Sequence, residues 1–585
     1  MFEQVIAPVA GSLGLSALCA AIPLVTLFVL LGVLKVKAWI AGLVSLAVAA
    51  VVAVVFFSMP VGQTLLSATE GAAFGFFPIL WIVINAIWVY NLTVASGHFD
   101  VLRRSFAKVS PDQRIQAIII AFCFGALLEA LAGFGTPVAI TVVMLMAMGF
   151  QPIKAAAVAL IANTAPVAFG ALATPVITLA TVTSGVNDDP GLTVDTLGAM
   201  VGRQTPILAV FVPLVLVFVV DGMRGVRQTW LPAIVAGLSF GLAQFVAANY
   251  ISVPLTDIIA ALVSAAAVVG LLRVWQPSES PDLAEPAHAT AAMGSGGATA
   301  GETLGDEPGD QRARDRHAPR TGGGAASDGH LSDHGGDVVK AYAPYLIIIV
   351  IFSLANLGPV KAFLAEAPWT IKFAWPGLHV FGPGADEPLA STTFTLNWLP
   401  AAGTLMILAG ILTAIVLKVS PGRAFKAYVD TYKELKWAIV TVMAVLALAY
   451  VMNLSGQTAT LGAFLAQTGS FFVFLSPILG WIGVAVTGSD TSANALFGAL
   501  QVQTAASAGL DAVLLAAANS SGGVMGKMVS PQNLAIAAAA VGMAGREGEL
   551  FRKVFGWSIG LLLFMCLLVV LQSTPVLGWM VPSAP

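Results

Sequence analysis

The chain has 585 residues, of which 58% are hydrophobic and only 10% are charged, and its mean hydropathy is +0.90. A soluble domain usually carries about 25% charged residues, so this composition excludes an ordinary soluble enzyme. The formal net charge of −3 gives no indication of a nucleic-acid partner, and we expect none. The three cysteines lie in apolar runs and form neither a disulfide framework nor a metal-binding spacing.

Long uncharged segments begin near the N-terminus, at residues 12–34 and 38–59. About 20 apolar residues span the hydrocarbon core of a bilayer as a helix. The first segment lacks the basic region and cleavage site of a signal peptide, so we interpret it as a retained helix. Lys and Arg in short loops mark the cytoplasmic side, and this rule predicts about twelve crossings with both termini outside. Glu70 falls in a short segment between crossings and is expected to be solvated.

Two segments, 115–150 and 471–508, are too long for one crossing and contain small or helix-breaking residues in the middle. We predict that each is a re-entrant hairpin, because the downstream basic clusters then stay on one side. Residues 276–339 lack apolar periodicity and are rich in Gly, Ala, Asp, Arg and His, which predicts a flexible cytoplasmic linker. The predicted domains are a first transmembrane repeat, a connecting helix pair, the linker and a second, inverted repeat, at 1–220, 221–275, 276–339 and 340–585.

Similar motifs occur in the same order in the two halves. The sequence around Asn163 is ANTAPVAFGALATP and that around Asn519 is ANSSGGVMGKMVSP, and both fit A-N-[TS]-x5-G-x3-[TS]-P. AGFGTP at 132–137 likewise corresponds to TGSDTS at 487–492. The loop charges place the two copies in opposite orientations, which is a transporter architecture. The predicted fold is an all-α polytopic membrane protein with two inverted-topology repeats, re-entrant hairpins and broken helices, with about 12 crossings plus 2 hairpins.

Polar, irregular backbone inside a membrane is tolerated only around protein-lined or watery cavities. We predict it at four places: the hairpin tips 133–137 and 488–492, and helix breaks directly after Asn163 and Asn519. Each new half-helix exposes free N–H groups and the positive end of its dipole, which favours a carboxylate. The alternative is that these small residues serve helix packing. The predicted substrate-binding residues are Gly135, Thr136, Asn163, Thr164, Ser489, Thr491, Ser492, Asn519 and Ser520.

Burial of an ionisable residue inside a membrane is energetically costly, so such a residue usually has a functional role. Glu129 precedes the first tip, Asp490 lies on the second tip, and Lys527 follows the second predicted break. One hypothesis is that Glu129 or Asp490 takes up a coupling proton while Lys527 holds a substrate carboxylate or the partner acid. The alternative is a static Lys–acid pair that neutralises itself. No catalytic residue, metal ligand set or cofactor is predicted.

Four blocks of this sequence resemble the bacterial lactate permease family: GALLEALAGFGTPVAI (125–140), ANTAPVAFGALATPV (162–176), TGSDTSANALFGALQ (487–501) and AANSSGGVMGKMVSPQN (517–533). The resemblance covers nearly the whole chain outside the linker. It implies proton-coupled uptake of L-lactate, glycolate and related 2-hydroxy monocarboxylates. A more distant similarity to the ion transporter superfamily implies a site that contains Thr136, Asn163, Thr491, Ser492 and Asn519.

The residues alone favour a secondary transporter for anions, and lactate comes only from the resemblance. The first hypothesis is therefore a proton–monocarboxylate symporter in the cell membrane, with a small carboxylate and the lipid bilayer as partners. The sequence also leaves open that the chain forms a homodimer. The second hypothesis is a sodium-coupled carboxylate symporter of the same architecture. An anion channel and a membrane-embedded enzyme are remote alternatives, and the chain lacks the enzyme motifs H-E-x-x-H and G-x-S-x-G.

Overall fold

The structure is a computed structural model, and it describes residues 1–107, 109–131, 133, 135–186, 189–277, 335–543 and 546–582. This part of the chain is mostly helical, as predicted, with two small two-stranded sheets. Ten helical segments in it are long and apolar enough to cross a membrane. The multi-pass helical character of the predicted fold is confirmed, whereas the inverted orientation of the two halves stays a prediction.

Glycine, proline and polar interruptions divide the first half into short helices. Its α-helices are Leu13–Phe28, Ala38–Val55, Val61–Phe74, Trp81–Ala95, His98–Ala107, Gln113–Gln116, Gly125–Leu131, Thr136–Ala147, Pro152–Ala162, Gly170–Thr183, Val194–Val201, Thr205–Val246 and Thr256–Leu272. Wider or tighter turns extend several of them, as π-helix at Val29–Val33, Gly75–Leu80, Ala117–Phe124 and Ala247–Ile251 and as 3₁₀-helix at Val253–Leu255.

The second half begins with a helix at Gly335, inside the end of the predicted linker; residues 278–334 of that linker lie outside the described residues. Its α-helices are Gly335–Ala355, Gly358–Leu364, Ala402–Val416, Pro421–Leu454, Gln457–Leu465, Phe472–Thr487, Asp490–Ala508, Ala512–Gly526, Pro531–Ala540 and Glu547–Gln572. Its 3₁₀-helices are Ala390–Thr392, Ala466–Phe471, Lys527–Val529 and Gly578–Met580. Strand Phe2–Glu3 pairs in parallel with Val380–Phe381, and Ile371–Ala374 pairs antiparallel with Thr393–Leu396.

The longest helical segment, Val194–Ile251, has 58 residues. At a rise of 1.5 Å per residue, roughly 20 residues cross the hydrocarbon core, so this segment is long enough for two crossings. Its backbone leaves helical geometry at Asp221 and at Gly222, where φ is +60°. This interruption lies at the predicted boundary between the first repeat and the connecting helix pair. The total of about twelve crossings stays a prediction.

The first predicted hairpin, which we call hairpin 1 (113–147), folds back on itself. The Gln113 side-chain amide at its base donates a hydrogen bond to the Met148 carbonyl oxygen at 3.1 Å. Halfway along, a Cβ on Gly125 would lie 3.2 Å from the Thr141 side chain. Two arms that meet both at the base and in the middle must run antiparallel. Every residue of the first arm, 113–131, is buried inside the protein.

The second predicted hairpin, hairpin 2 (472–508), has the same form. The Gln501 amide donates to the Ser476 carbonyl oxygen at 3.1 Å, and nearer the tip Gly483 packs against Ala493 and Phe497. Gly488 has a φ of +76° and ends the first arm, which permits the sharp turn that a side chain would strain. Both predicted hairpins are therefore present as helical hairpins in this fold, and their re-entrant placement in the membrane stays a prediction.

The predicted break after Asn519 is wrong. Helix Ala512–Gly526 continues through Asn519 and through Gly522 and Gly523. These two glycines face the first arm of hairpin 2 and the start of its second arm, where a Cβ on Gly522 would meet the Pro477 backbone and one on Gly523 would lie 2.5 Å from Asp490 Oδ1. The glycines serve close packing at this position, so helical hydrogen bonding continues. The helix is interrupted instead at 527–530, before Pro531.

Candidate functional site

Hairpin 1 and hairpin 2 bring their tips to the two interrupted helices, and the break in the first half is unusual in its backbone. Helix Pro152–Ala162 ends at Asn163 as predicted, and the chain continues through turns. It then passes through Ala171, Leu172 and Ala173 with φ of +44°, +58° and +59°. An L-residue in this left-handed region costs roughly 1–2 kcal/mol, so three in succession need compensation from their surroundings. Such strain gathers at functional sites.

Glu129 lies against this break. A Cβ on Gly170 would be 2.9 Å from Glu129 Oε1, and one on Gly133 of the hairpin 1 tip would be 4.0 Å from the same atom. Asn163 donates its side-chain amide to Glu129 Oε2 at 2.9 Å. The strained turn and the two glycines therefore make room for one carboxylate, and the Asn163 amide orients it.

Lys527 supplies the opposite charge from the second half. Its ammonium donates to Glu129 Oε1 at 2.5 Å, and the side chains are only 8% and 3% exposed. Lys527 begins the second break, at the position that Ala171 occupies in the first repeat. The break leaves a short 3₁₀ turn from which the lysine reaches across to hairpin 1. This ion pair joins the two halves of the chain at the centre of the site.

Asp490, at the start of the second arm of hairpin 2, is the other buried acid of the site. Its Oδ2 accepts a hydrogen bond from the Ser520 hydroxyl at 2.6 Å. Its Oδ1 is buried and has no hydrogen-bond partner among the described residues. Lys527 is close enough to act on Asp490 electrostatically. The ammonium of Lys527 is thus paired with one buried acid, Glu129, and lines the same cavity as a second, Asp490.

A cavity lies between these groups and contains about 50 Å³ of free space. One water needs roughly 10–15 Å³ on this scale, so the cavity suits a guest with the bulk of a few water molecules. Its walls come from both tips, both breaks and the start of helix Pro531–Ala540. The lining residues are Glu129, Gly133, Val167, Gly170, Ala171, Thr174, Pro175, Gly488, Ser489, Asp490, Thr491, Lys527, Gln532 and Asn533.

Most of the predicted site residues lie in or directly behind this cavity. Ser489 and Thr491 line it, and the Ser489 hydroxyl caps the arm by accepting from the Ser492 backbone N–H at 3.3 Å. Ser520 lies behind the wall, on Asp490. Gly135 packs against Ile536 and near Asn533 of helix Pro531–Ala540, with Thr136 beginning the next arm.

Two predicted residues face elsewhere. Thr164 donates its hydroxyl to the Ile161 carbonyl oxygen at 2.7 Å and lines a separate, smaller cavity. Asn519 donates to Asn494 Oδ1 at 2.9 Å and accepts from the Gln501 amide at 3.1 Å, while Asn494 donates to the Pro175 carbonyl oxygen at 3.0 Å. This chain of amides ties hairpin 2 to the first break. Direct substrate contact by these residues stays a prediction.

Several polar residues near the cavity were not predicted. Thr174, Gln532 and Asn533 line it, and Asn533 donates to the Lys527 carbonyl oxygen at 3.1 Å and to the Ser530 hydroxyl at 2.8 Å. The signal was present, because the repeat motif ends in Thr-Pro or Ser-Pro and Gln532 and Asn533 follow the second copy. A second break placed at Pro531 rather than at Asn519 would have included them.

Glu70 is not solvated, contrary to the sequence-based expectation. Its residue is 0% exposed, and neither carboxyl oxygen has a hydrogen-bond partner in the part of the chain that the structure describes. The neighbouring Gly71 packs closely on the backbone of Leu446 and Ala447, because helix Val61–Phe74 crosses helix Pro421–Leu454 there. The sequence showed a short polar segment but could not show that another helix covers it.

Comparison with known proteins finds relatives that match nearly the whole chain. The sequence model described as L-lactate permease matches residues 16–576. The L-lactate permease of Bacillus subtilis (strain 168) is 39% identical over 99% of this chain and 100% of its own length. The glycolate permease GlcA of Escherichia coli (strain K12) is 41% identical over 98% of each chain, and the L-lactate permease of that strain is 39% identical over 98% of each.

Among solved structures, the YdaH transporter of Alcanivorax borkumensis aligns over 84% of each chain with a TM-score of 0.39 and 14% identity. The fold described above rests on the helices of this chain and not on that alignment. The family match and the full-length relatives, together with ten apolar helical segments, identify the class of protein. The chain belongs to the L-lactate permease family; it is a multi-pass membrane transporter and not an enzyme.

Proposed function

We propose that this chain imports L-lactate and related 2-hydroxy monocarboxylates, including glycolate and D-lactate, by proton symport. The proposal takes its substrate class from the L-lactate and glycolate permeases to which the chain is similar. The observation that carries the mechanism is the buried contact between Lys527 and Glu129 in the wall of the central cavity.

A substrate carboxylate that enters the cavity competes with Glu129 for the Lys527 ammonium. Separating a buried ion pair leaves an uncompensated charge, which costs about 3–5 kcal/mol. Glu129 avoids that cost by binding a proton when its partner turns to the substrate. One anion and one proton then enter together and the net charge of the cluster is unchanged, so the symport is electroneutral.

The size and polarity of the cavity suit a small hydroxy acid. Its 50 Å³ of free space matches a compact monocarboxylate better than a long dicarboxylate. Ser489, Thr491 and Asn533 also line the cavity and carry hydroxyl and amide groups. A group that recognises the 2-hydroxyl rejects a ligand that lacks it, because its own hydrogen bond would be left unmade.

Sodium coupling is the second candidate, and one observation favours it. Asp490 Oδ1 is buried without a hydrogen-bond partner among the described residues, and a carboxylate oxygen beside serine and threonine hydroxyls suits a hard cation. In this alternative Asp490 would bind Na⁺ and Glu129 would remain paired throughout the cycle.

The test is uptake of labelled L-lactate into proteoliposomes under a pH gradient alone and under a Na⁺ gradient alone. Accumulation with the pH gradient, competed by glycolate and D-lactate more strongly than by pyruvate or succinate, is the expected result. Accumulation with the Na⁺ gradient only would overturn proton symport. Flux that does not saturate and shows no counterflow would indicate a channel.

Variants of the two acids locate the proton. Glu129→Gln is expected to abolish pH-driven uptake while it keeps exchange of internal for external lactate, since glutamine mimics the protonated acid. Asp490→Asn is the matched variant, in which the other buried acid of the cavity is neutralised. If pH dependence survives in both variants, neither acid carries the coupling proton.

A further inference from the structure

Asp257 is a buried acid in a part of the chain with no counterpart in the repeat. It lies in the first turn of helix Thr256–Leu272 and is 0% exposed. Its Oδ1 accepts a hydrogen bond from the Gln244 side-chain amide at 2.8 Å, and its Oδ2 is buried with no hydrogen-bond partner among the described residues. That oxygen therefore does not cap the helix, and stabilisation of the helix does not by itself explain why an acid is buried at this position.

One turn of backbone connects Asp257 with the central site. Asn163 at the start of this turn donates to Glu129 at 2.9 Å. Two residues later the Ala165 carbonyl oxygen accepts from the same Gln244 amide, at 3.4 Å, that holds Asp257. The start of the first helix break thus contacts Glu129 directly through Asn163, and it is joined to Asp257 through the Gln244 amide.

The surroundings of this turn contain room for a proton carrier. A small cavity beside it has about 10 Å³ of free space, which is at the lower end of the roughly 10–15 Å³ that one water needs on this scale. Its lining combines Thr164, Ala165 and Thr205 with the apolar residues Leu208, Val212, Val524, Met525 and Leu561. The Thr205 hydroxyl also contacts Gln244 Oε1 at 3.3 Å, so the threonine hydroxyls are the side-chain groups that can hold a water between the cavity and Gln244.

The charges around Asp257 leave Glu129 as the group that acts on it. Glu129 lies on helix Gly125–Leu131, which packs against helix Thr256–Leu272, and its electrostatic influence reaches Asp257. Arg203 is the nearest cation on the long helical segment. Its guanidinium donates to Asn249 Oδ1 at 2.9 Å and to the Met580 carbonyl oxygen at 2.8 Å, and Asn249 lies five residues beyond Gln244. Asp221, Arg224 and Arg227 lie at or near the interruption in the middle of helix Thr205–Val246, and Asp337 and Lys340 lie near the start of helix Gly335–Ala355.

Tyr250, seven residues before Asp257, is 73% exposed, whereas Ser252, Val253, Leu255 and Thr256 are buried, so the chain enters the protein between Tyr250 and Asp257. The distribution of Lys and Arg predicts that this loop, 250–256, is outside the cell. Asp257 then stands between the outer surface and Glu129.

We propose that Asp257 is a proton relay that loads Glu129 from the outside. This inference rests on the proposed proton symport. In the resting state Asp257 carries the proton and Glu129 is ionised against Lys527. When substrate takes over Lys527, the O–H bond of Asp257 breaks and an O–H bond forms on the Glu129 carboxylate, by way of a water held at the turn. Asp257 then regains a proton from the outer side, so each cycle moves one proton.

The test separates proton delivery from substrate handling. Labelled L-lactate uptake driven by a pH gradient is measured in proteoliposomes with wild-type chain and with Asp257→Asn, beside exchange of labelled for unlabelled lactate at equal pH. We expect a loss of at least ten-fold in pH-driven uptake and less than a two-fold change in exchange. Asp195→Asn, which removes an exposed acid paired with Lys361, is the control and should change neither rate.

A second variant tests the connection itself. Gln244→Met keeps the side-chain bulk but removes the amide that joins Asp257 to Ala165, and it should slow pH-driven uptake about three-fold or more without reducing exchange.

The failure outcomes are distinct. Wild-type chain without pH-driven uptake would overturn the proposed function itself. Normal pH-driven uptake in Asp257→Asn would overturn the relay alone, and so would an equal loss of uptake and exchange, since that pattern indicates a role in structure or substrate binding.

Discussion

The two interrupted helices of this transporter occupy the same position in the sequence repeat, but their breaks differ in backbone geometry and in the side chain that they contribute. The first passes through three left-handed residues, 171–173, beside glycines that make space for Glu129. The second makes a short 3₁₀ turn in which Lys527 stands where the first has Ala171. One break gives room to a carboxylate and the other supplies its countercharge. The comparison shows that two copies of a repeat can both keep a helix break at the same position while one copy provides the carboxylate and the other provides the ammonium.

The largest effect is expected from Lys527→Met. This change removes the countercharge from buried Glu129, which should cost about 3–5 kcal/mol of stability and reduce both uptake and exchange at least 100-fold. Thermal unfolding and proteoliposome transport measure the two losses. The double variant Lys527→Met with Glu129→Gln should recover most of the stability and none of the transport. A double variant as unstable as the single one would contradict the pairing.

A smaller effect is expected where the second half uses glycine for packing. Gly522→Ala places a methyl group against the Pro477 backbone, and such overpacking typically costs about 1–3 kcal/mol. The unfolding temperature should fall, with transport reduced in proportion to the folded protein. Gly556→Ala is the control, because nothing lies within 4 Å of its added Cβ. Equal behaviour of the two variants would mean that the glycine does not serve packing.

At the first break the same type of change should act on function more than on stability. A methyl group on Gly170 would lie 2.9 Å from Glu129 Oε1 and displace the carboxylate from Lys527 and Asn163. Gly170→Ala should lower pH-driven uptake about ten-fold, with a smaller loss of unfolding temperature than Gly522→Ala shows. The opposite ranking, with intact uptake and a large loss of stability, would show that Gly170 is a packing residue like Gly522.

The smallest effect is expected from relieving the left-handed turn. Ala173→Gly removes the Cβ from a residue with φ of +59° and should stabilise the protein by up to about 1 kcal/mol. Ala537→Gly in right-handed helix Pro531–Ala540 should destabilise it by about the same amount. Opposite signs in paired unfolding measurements support a strained first break, whereas destabilisation by both changes counts against it.

The local sequence pattern was sufficient to predict the two hairpins and part of the site. Gly133 and Gly488 marked sharp turns that the structure contains, and the acidity of Glu129 and Asp490 inside apolar sequence pointed to the residues that now line the cavity. The second break was misplaced because a glycine can serve either a turn or a close contact between helices. Only the position of Pro477 against Gly522 shows that it serves a close contact here. Glu70 was misjudged for a similar reason, because its burial depends on a helix that begins at Pro421, 351 residues further along the chain.

The sequence by itself determined that this is a helical membrane protein with two related halves, since hydrophobic length and motif spacing are local properties of the chain. It also singled out Glu129, Asp490 and Lys527, each of which stands in an apolar run, but not the buried acids Glu70 and Asp257. Only the tertiary structure decided that Lys527 reaches Glu129 and that Gln244 joins Asp257 to the first break. Those pairings depend on how far each helix is rotated and how closely it approaches its neighbours, and both are set by the packing of many side chains together rather than by any one segment.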